Sequence, residues 1–102
     1  MRQHVYYVYI LTNPSKSSLY TGVTNDMRYR LNKHREGAAV RDTAKYTGLY
    51  NCIHVLYFET FQWIQDAIAR EKEIKSWTRA KKLELIRGVN AEMRFLEGEY
   101  GW

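Results

Sequence analysis

The chain carries the apolar segment Val5-Tyr6-Tyr7-Val8-Tyr9-Ile10-Leu11 and, after a turn-like Asn13-Pro14-Ser15-Lys16, a second segment Leu19-Tyr20-Thr21-Gly22-Val23-Thr24. Every position of the first segment is apolar or aromatic, which is typical of a strand covered on both faces. Two strands joined by a short turn pair in antiparallel fashion. The sequence therefore predicts a β-hairpin, and counting from the centre of the turn places Tyr9 and Tyr20 roughly opposite each other, as cross-strand neighbours. From the residues alone, such a tyrosine pair favours simple packing.

The remaining residues predict one more strand and three helices. Helix caps, glycines and β-branched runs set the expected bounds: a helix over 26–36 capped by Thr24 or Asn25 and ended by Gly37, a strand Ile53–Phe58, a helix from the cap Thr60 to Lys75, and a helix capped by Ser76 or Thr78 and ending near Gly88. The stretch 38–51 has no clear period and predicts a long loop. The predicted fold is α+β: a small three-stranded antiparallel sheet with helices packed on it, in the order β-β-α-β-α-α.

A length of 102 residues predicts a single domain over residues 1–102, with a core of about residues 4–90 and a C-terminal tail of 91–102. No stretch approaches the ~20 apolar residues of a membrane span, and the N-terminus lacks the apolar run of a secretory signal. The lone Cys52 cannot form an internal disulfide. We therefore expect a cytoplasmic monomer that does not engage membranes.

The net charge of +5 is concentrated in two blocks. Residues 28–45 hold six basic and two acidic side chains, and residues 70–87 hold seven basic and three acidic ones. The blocks predict either solvated helix faces or a surface that binds phosphates. For the second reading, the candidate nucleic-acid contacts are Lys33, Lys45, Tyr46 and Lys75.

The first predicted helix places polar side chains on its apolar stripe. Met27, Arg30, Leu31 and His34 follow the i, i+3, i+4, i+7 spacing of one helix face. A buried guanidinium without a partner is costly, so Arg30 should face a carboxylate, a ligand phosphate or the mouth of a cleft, unless it only reaches to solvent from the edge of the stripe. For His34 alone, the residues favour a structural histidine.

The second predicted helix places a carboxylate on its apolar side. At about 100° per residue, Glu71 falls within the arc of Ile64, Ala67 and Ile68. It could pair with Arg30 or Lys75. A single carboxylate beside a cleft is also what Mg²⁺ requires, because this ion keeps several waters and coordinates through one or two carboxylates.

The triplets Tyr7-Val8-Tyr9 and Tyr20-Thr21-Gly22, ten residues apart, resemble the paired signature of the GIY-YIG nuclease superfamily. Tyr7 replaces the glycine of the first triplet and Thr21 the isoleucine of the second. The helix that follows is similar to the family's helix with its arginine and histidine, and the stretch Ala69–Lys75 is similar to its glutamate helix. Over about residues 4–90 the chain most resembles the stand-alone bacterial UPF0213 proteins of this superfamily.

The resemblance implies hydrolysis of a phosphodiester bond. Glu71 would then hold one Mg²⁺ or Mn²⁺ ion, and Arg30 would grip the scissile phosphate. Tyr9 or Tyr20 would orient or deprotonate the attacking water, with His34 as an auxiliary proton acceptor or phosphate donor. Gly22 and Asn90 would be supporting residues. The expected substrate is nucleic acid, DNA in preference to RNA, and the expected role is repair or processing.

Two other functions compete with this prediction. The first is a catalytically silent nucleic-acid-binding module with the same fold, which would bind in a salt-sensitive way without cleaving. The second is an interaction domain that docks a protein partner on exposed tyrosines of the hairpin. The joint presence of Tyr9, Tyr20, Arg30 and Glu71 argues against both.

Overall fold

Three strands and four helices make up the described part of the chain. The structure is a computed structural model that describes residues 5–40 and 51–102, and of residues 38–40 only the backbone. The strands are β1 (Tyr6–Thr12), β2 (Leu19–Thr24) and β3 (His54–Phe61), and the helices are α1 (Met27–Val40), α2 (Ile64–Lys75), α3 (Arg79–Val89) and α4 (Glu97–Tyr100). The predicted α+β fold and its order β-β-α-β-α-α are confirmed, with the short α4 as an addition.

The sheet has the strand order β2-β1-β3, and both pairs are antiparallel. β1 therefore lies in the middle, which explains its unbroken run of apolar residues. Val8, Tyr9, Ile10 and Leu11 are all at most 1% exposed, because both faces of a central strand are covered when helices pack on each side.

Each face of β1 contributes to a different part of the core. Val8 and Ile10 share one face, and they belong to a cluster with residues of β3, α2 and α3. Tyr9 and Leu11 point to the other face, where they cluster with Met27 and Leu31 of α1 and with Leu96 beyond α3. The second cluster thus puts the Tyr9 ring beside α1.

The start and end of α1 differ from the prediction. Asp26, rather than Thr24 or Asn25, caps the helix, because its Oδ1 accepts a hydrogen bond of 3.0 Å from the Tyr29 N–H. The helix also runs through Gly37 to Val40, since a glycine within a helix costs only about 1 kcal/mol. The predicted loop is therefore wrong for residues 38–40, and residues 41–50 lie outside the described part.

The start of α2 also differs from the prediction. Thr60 does not cap a helix, because it pairs with Tyr7 in the ladder between β1 and β3, which continues to Phe61. α2 begins only at Ile64, after Trp63, whose side chain makes no capping bond. For α3 the predicted cap Thr78 is confirmed, since its side chain accepts a hydrogen bond from the Lys81 N–H.

The segment after residue 90, expected as a tail, packs onto the sheet. Leu96 is buried, and its N–H donates to the Val55 carbonyl at 2.8 Å. The Glu97 carboxylate lies 2.6 Å from His54 Nδ1 and accepts from the Val55 N–H at 2.8 Å. Burial raises the pKa of this carboxyl, but the hydrogen bonds outweigh burial and bring it below its usual value. At the end of the segment the Trp102 ring packs edge-on against the Tyr7 ring.

Candidate active site

The two signature tyrosines lie diagonally across the hairpin. Tyr9 pairs with Gly22, and Tyr20 pairs with Leu11, so the two tyrosines are cross-strand neighbours as predicted, but offset by two positions. The turn is centred one residue later than predicted, because Asn13 Oδ1 accepts hydrogen bonds from the N–H groups of both Ser17 and Ser18. Tyr9 and Tyr20 still share one face, and their ring centroids are 6.3 Å apart.

Gly22 allows the Tyr9 ring to lie across β2. A Cβ atom built on Gly22 would lie 2.5 Å from Tyr9 Cζ and closer still to the Tyr9 hydroxyl. Real carbon atoms do not approach so closely, and because Tyr9 is 1% exposed its ring would have to shift within the core. The glycine of the second triplet is therefore required by packing against the tyrosine of the first.

We expect Gly22→Ala to lower the free energy of unfolding by about 1–3 kcal/mol, the usual cost of overpacking a core. Urea denaturation measures the change. Gly88→Ala is the matched control, since a Cβ at Gly88 meets nothing within 4 Å, and it should be neutral or stabilising. If Gly22→Ala costs as much in a Tyr9→Ala background as in the wild type, the Tyr9 ring is not the cause.

His34 completes a group of three rings. The α1 helix places the His34 imidazole 4.9 Å from the Tyr20 ring and 6.3 Å from the Tyr9 ring, measured between centroids. Burial lowers the pKa of His34 below its usual value, and the Arg30 charge lowers it further. The imidazole is therefore neutral at pH 7 and able to accept a proton.

Arg30 and Glu71 act on the same tyrosine hydroxyl. Burial raises the pKa of Tyr9 above its usual range, and the nearby Tyr20 raises it further. The Arg30 charge lowers that pKa and the Glu71 carboxylate raises it. Residues from β1, β2, α1 and α2 are thus close enough to influence one group. Tyr9 itself is held as a neutral phenol.

Arg30 is exposed at the edge of the α1 stripe, next to the buried Met27 and Leu31. Within residues 5–40 and 51–102, no carboxylate forms an ion pair with it. Of the alternatives that the sequence leaves open, this exposure fits an arginine that reaches to solvent from the edge of the stripe. Its guanidinium is available to a bound anion.

Glu71 is the more enclosed partner of a single ion pair. Its side chain is 15% exposed, and its Oε2 lies 3.5 Å from Lys75 Nζ, whose side chain is 52% exposed. Such a pair at the surface is weak. The described residues contain no group of three or more His, Cys, Asp or Glu that could hold a metal ion. Within the described residues, a metal at Glu71 would therefore have at most one further ligand of these types, and waters would fill the other positions, as Mg²⁺ tolerates.

The other predicted contact residues differ in placement. Lys33 is exposed on α1, 3.5 Å from the Glu36 carboxylate, whereas Lys45 and Tyr46 lie outside the described residues. Asn90 is 3% exposed and follows α3. Its Nδ2 donates to the carbonyls of Leu56 and Arg94, so this side chain holds the backbone of the C-terminal segment.

A polar network that the sequence reading missed anchors α2 to the sheet. The Glu59 carboxylate on β3 accepts hydrogen bonds of 2.9–3.1 Å from Arg70 Nε and Nη2, and it also accepts from the Tyr57 hydroxyl. The Arg70 guanidinium lies over the Trp77 ring, 5.1 Å from its centroid. Because Arg70 precedes Glu71, this network fixes the turn of α2 that carries Glu71. Tyr57 and Glu59 are two residues apart and therefore share one face of β3. That spacing is the signal in the sequence that could have indicated their contact.

A model of the GIY-YIG catalytic domain matches residues 5–84. That stretch contains the five candidate site residues Tyr9, Tyr20, Arg30, His34 and Glu71. The chain belongs to the GIY-YIG family. This confirms the resemblance seen in the sequence and places the chain in a nuclease superfamily. The described parts contain no helix long and apolar enough to cross a membrane.

Proteins similar to the chain include UPF0213 proteins. Those from Staphylococcus aureus strains Mu3 and N315 are each 42% identical over 82 residues, which cover 80% of this chain and 94% of the relative. The solution NMR structure of the UPF0213 protein BH0048 from Bacillus halodurans is 30% identical, with a TM-score of 0.52. That match covers 86% of this chain and 88% of the BH0048 chain. The likeness extends over nearly the whole fold.

Proposed function

We propose that this protein is a metal-dependent endonuclease that hydrolyses phosphodiester bonds in nucleic acid. One observation carries the proposal: the Tyr9, Tyr20 and His34 rings are in contact distance, and the charges of Arg30 and Glu71 both act on the Tyr9 hydroxyl. A cation, a carboxylate, two phenols and a neutral imidazole at one place match the needs of phosphoryl hydrolysis. Membership of a nuclease superfamily supports the same conclusion.

Arg30 is the group that binds the scissile phosphate. Its guanidinium is exposed and lacks an ion-pair partner among the described residues. It can offer two parallel N–H donors to two phosphate oxygens. During hydrolysis the attacking water forms a bond to phosphorus, the bond from phosphorus to the 3′-oxygen breaks, and negative charge builds on the phosphoryl oxygens. Arg30 stabilises that charge.

The aromatic residues orient the attacking water and accept its proton. Tyr9 is a neutral phenol, because burial raises its pKa above the usual range, so its hydroxyl orients the water through a hydrogen bond. Loss of a proton from Tyr9 would require additional positive charge nearby. His34 is neutral at pH 7 and lies against Tyr20, so its imidazole can accept the proton that the water releases.

Glu71 is the residue that would hold one Mg²⁺ or Mn²⁺ ion. When bound, the ion acts as a Lewis acid that neutralises charge on a non-bridging oxygen and on the leaving oxygen. The donor set fits, because Glu71 is a carboxylate whose only ion pair within the described residues is the surface contact with Lys75. Lys75 is then free to contact a backbone phosphate. DNA is our preferred substrate, and the net charge of +5 supports a polyanionic partner.

The experiment is a cleavage assay with purified wild-type protein. Supercoiled, single-stranded and branched DNA and single-stranded RNA are each incubated with Mg²⁺, with Mn²⁺ and with a chelator. We expect cleavage that requires the divalent ion. A variant with both Glu71→Gln and Arg30→Ala, purified in the same way, controls for a contaminating nuclease. Salt-sensitive binding of these substrates without cleavage of any of them would instead identify a silent nucleic-acid-binding module.

A further inference from the structure

The α1 helix carries an exposed aromatic ring beside the phosphate-binding arginine. Tyr29 is 57% exposed, although an aromatic side chain on a small domain is usually packed. Its backbone is held in the first turn of α1 by the hydrogen bond from its N–H to Asp26. The ring is therefore presented to solvent from a fixed point of the helix.

Tyr29 is joined to the site by a continuous strip of α1. Residues three or four positions apart are neighbours on a helix surface, so His34 adjoins Arg30, Arg30 adjoins Lys33, and Lys33 adjoins Tyr29. The Lys33 ammonium lies 5.4 Å from the centroid of the Tyr29 ring. Its pair with Glu36 is exposed on both sides and is weak enough for a phosphate to displace. The strip leads outward from the ring cluster and is cationic.

The charged residues nearby distinguish Tyr29 from the other strongly exposed aromatic side chains of the described residues, Trp63 and Tyr100. Tyr100 belongs to α4, whose first turn contains Glu97 and Glu99. Trp63 precedes α2, whose first turn contains Asp66. Tyr29 also has one carboxylate nearby, since Asp26 accepts from its N–H. Its ring, unlike the other two within the described residues, has a cation contact on the strip that leads to Arg30, the Lys33 ammonium at 5.4 Å. The combination of an aromatic face with adjacent Lys and Arg is the chemistry that binds single-stranded nucleic acid.

We propose that Tyr29 and Lys33 form a subsite for the nucleotide next to the scissile phosphate. An unpaired base stacks on the Tyr29 ring, and the neighbouring phosphate binds Lys33 while Arg30 holds the scissile phosphate. The proposal rests on the nuclease function proposed above, and it narrows the substrate. A strand with a base free to leave the helical stack, as in single-stranded or branched nucleic acid, is preferred over a fully paired duplex.

The test measures binding, without cleavage, by fluorescence anisotropy in the presence of a chelator. The probes are a labelled thymidine oligonucleotide, the same backbone without bases, and a blunt duplex. We expect Tyr29→Ala to weaken binding of the thymidine oligonucleotide about tenfold, and to leave the other two probes unchanged. Tyr29→Phe, which keeps the ring, should bind like the wild type. Lys33→Ala should weaken all three probes and reduce the salt dependence of binding by about one phosphate contact.

Two results would overturn the subsite. The first is a Tyr29→Ala protein that binds the thymidine oligonucleotide as tightly as the wild type, and the second is an equal loss on all three probes. If the wild type cleaves nucleic acid while either result is obtained, only the subsite is wrong. If the wild type binds none of the probes and cleaves nothing, the proposed function fails as well. Because Tyr29 is exposed, its substitution should leave the circular dichroism spectrum and thermal midpoint unchanged.

Discussion

Replacing Glu71 by glutamine should slow cleavage by about a hundredfold or more. Glutamine keeps the size of the side chain and one acceptor oxygen but removes the charge that a hard divalent cation needs. The ion's share of transition-state stabilisation is worth several kcal/mol, and each 1.4 kcal/mol or so is a factor of ten in rate. The rate of nicking at saturating Mg²⁺ measures the change. Titration with Mn²⁺ in a calorimeter should show a parallel loss of metal binding.

Glu84→Gln is the matched control for this substitution. Glu84 is exposed on α3, so the same chemical change there should alter neither metal binding nor cleavage. The loss of the ion pair with Lys75 is a second consequence of Glu71→Gln. In the Mn²⁺ titration Lys75→Gln separates it, because that variant breaks the pair and keeps the carboxylate. Metal-dependent cleavage by Glu71→Gln at the wild-type rate would exclude Glu71 as the metal ligand.

Much of the fold was predictable because buried positions carry apolar or aromatic residues, and their spacing can be seen in the sequence. β1 is buried on both faces, so every position from Val8 to Leu11 is apolar or aromatic. The bounds of β2 were also correct. Helix ends were harder, because local signals compete with tertiary pairing. Thr60 is a good cap by residue type, but its pairing with Tyr7 keeps it in β3. Gly37 has the sequence mark of a helix end, yet α1 continues past it.

For a similar reason, the pairing register of β1 and β2 at the site could not be predicted from the sequence. Hydrogen bonds that the Ser17 and Ser18 N–H groups donate to Asn13 Oδ1 extend the turn. The centre of the turn shifts by one residue, which pairs Tyr9 with Gly22 instead of Tyr20. The packing need for Gly22 follows only from that register. Likewise, helical spacing indicated that Arg30 and Glu71 lie on inward arcs, but not that both act on Tyr9, since this depends on how α1 and α2 pack on the sheet.

The network around Arg70 consists of contacts between different elements, which the spacing of residues along one helix cannot predict. Its partners Glu59 and Trp77 are eleven and seven residues from it, one on β3 and one after α2. A sequence gives the charges but not the pairing across elements. The pairing has a consequence for the site, because it anchors the turn of α2 next to Glu71. The site thus depends on contacts that its own motif does not contain.

Replacing Arg30 by alanine should reduce cleavage by about 10²–10³-fold, the usual cost of losing one charged donor that faces a developing negative charge. Stability should change little, because Arg30 is exposed. Arg30→Lys should recover only part of the rate, since an ammonium cannot donate two parallel hydrogen bonds to a phosphate. Single-turnover rates with excess enzyme separate this loss from a loss of substrate binding.

Arg35→Ala removes the same charge from the same helix. Among the described residues the Arg35 guanidinium donates to Asn32, so the effect of its loss measures the general contribution of positive charge. A nuclear magnetic resonance titration adds a readout independent of activity. Because the Arg30 charge lowers the pKa of His34, that pKa should rise in Arg30→Ala but stay below its usual value, since burial remains and is the larger cause. An unchanged His34 titration, together with equal losses of cleavage in Arg30→Ala and Arg35→Ala, would show that Arg30 acts only as one more surface cation.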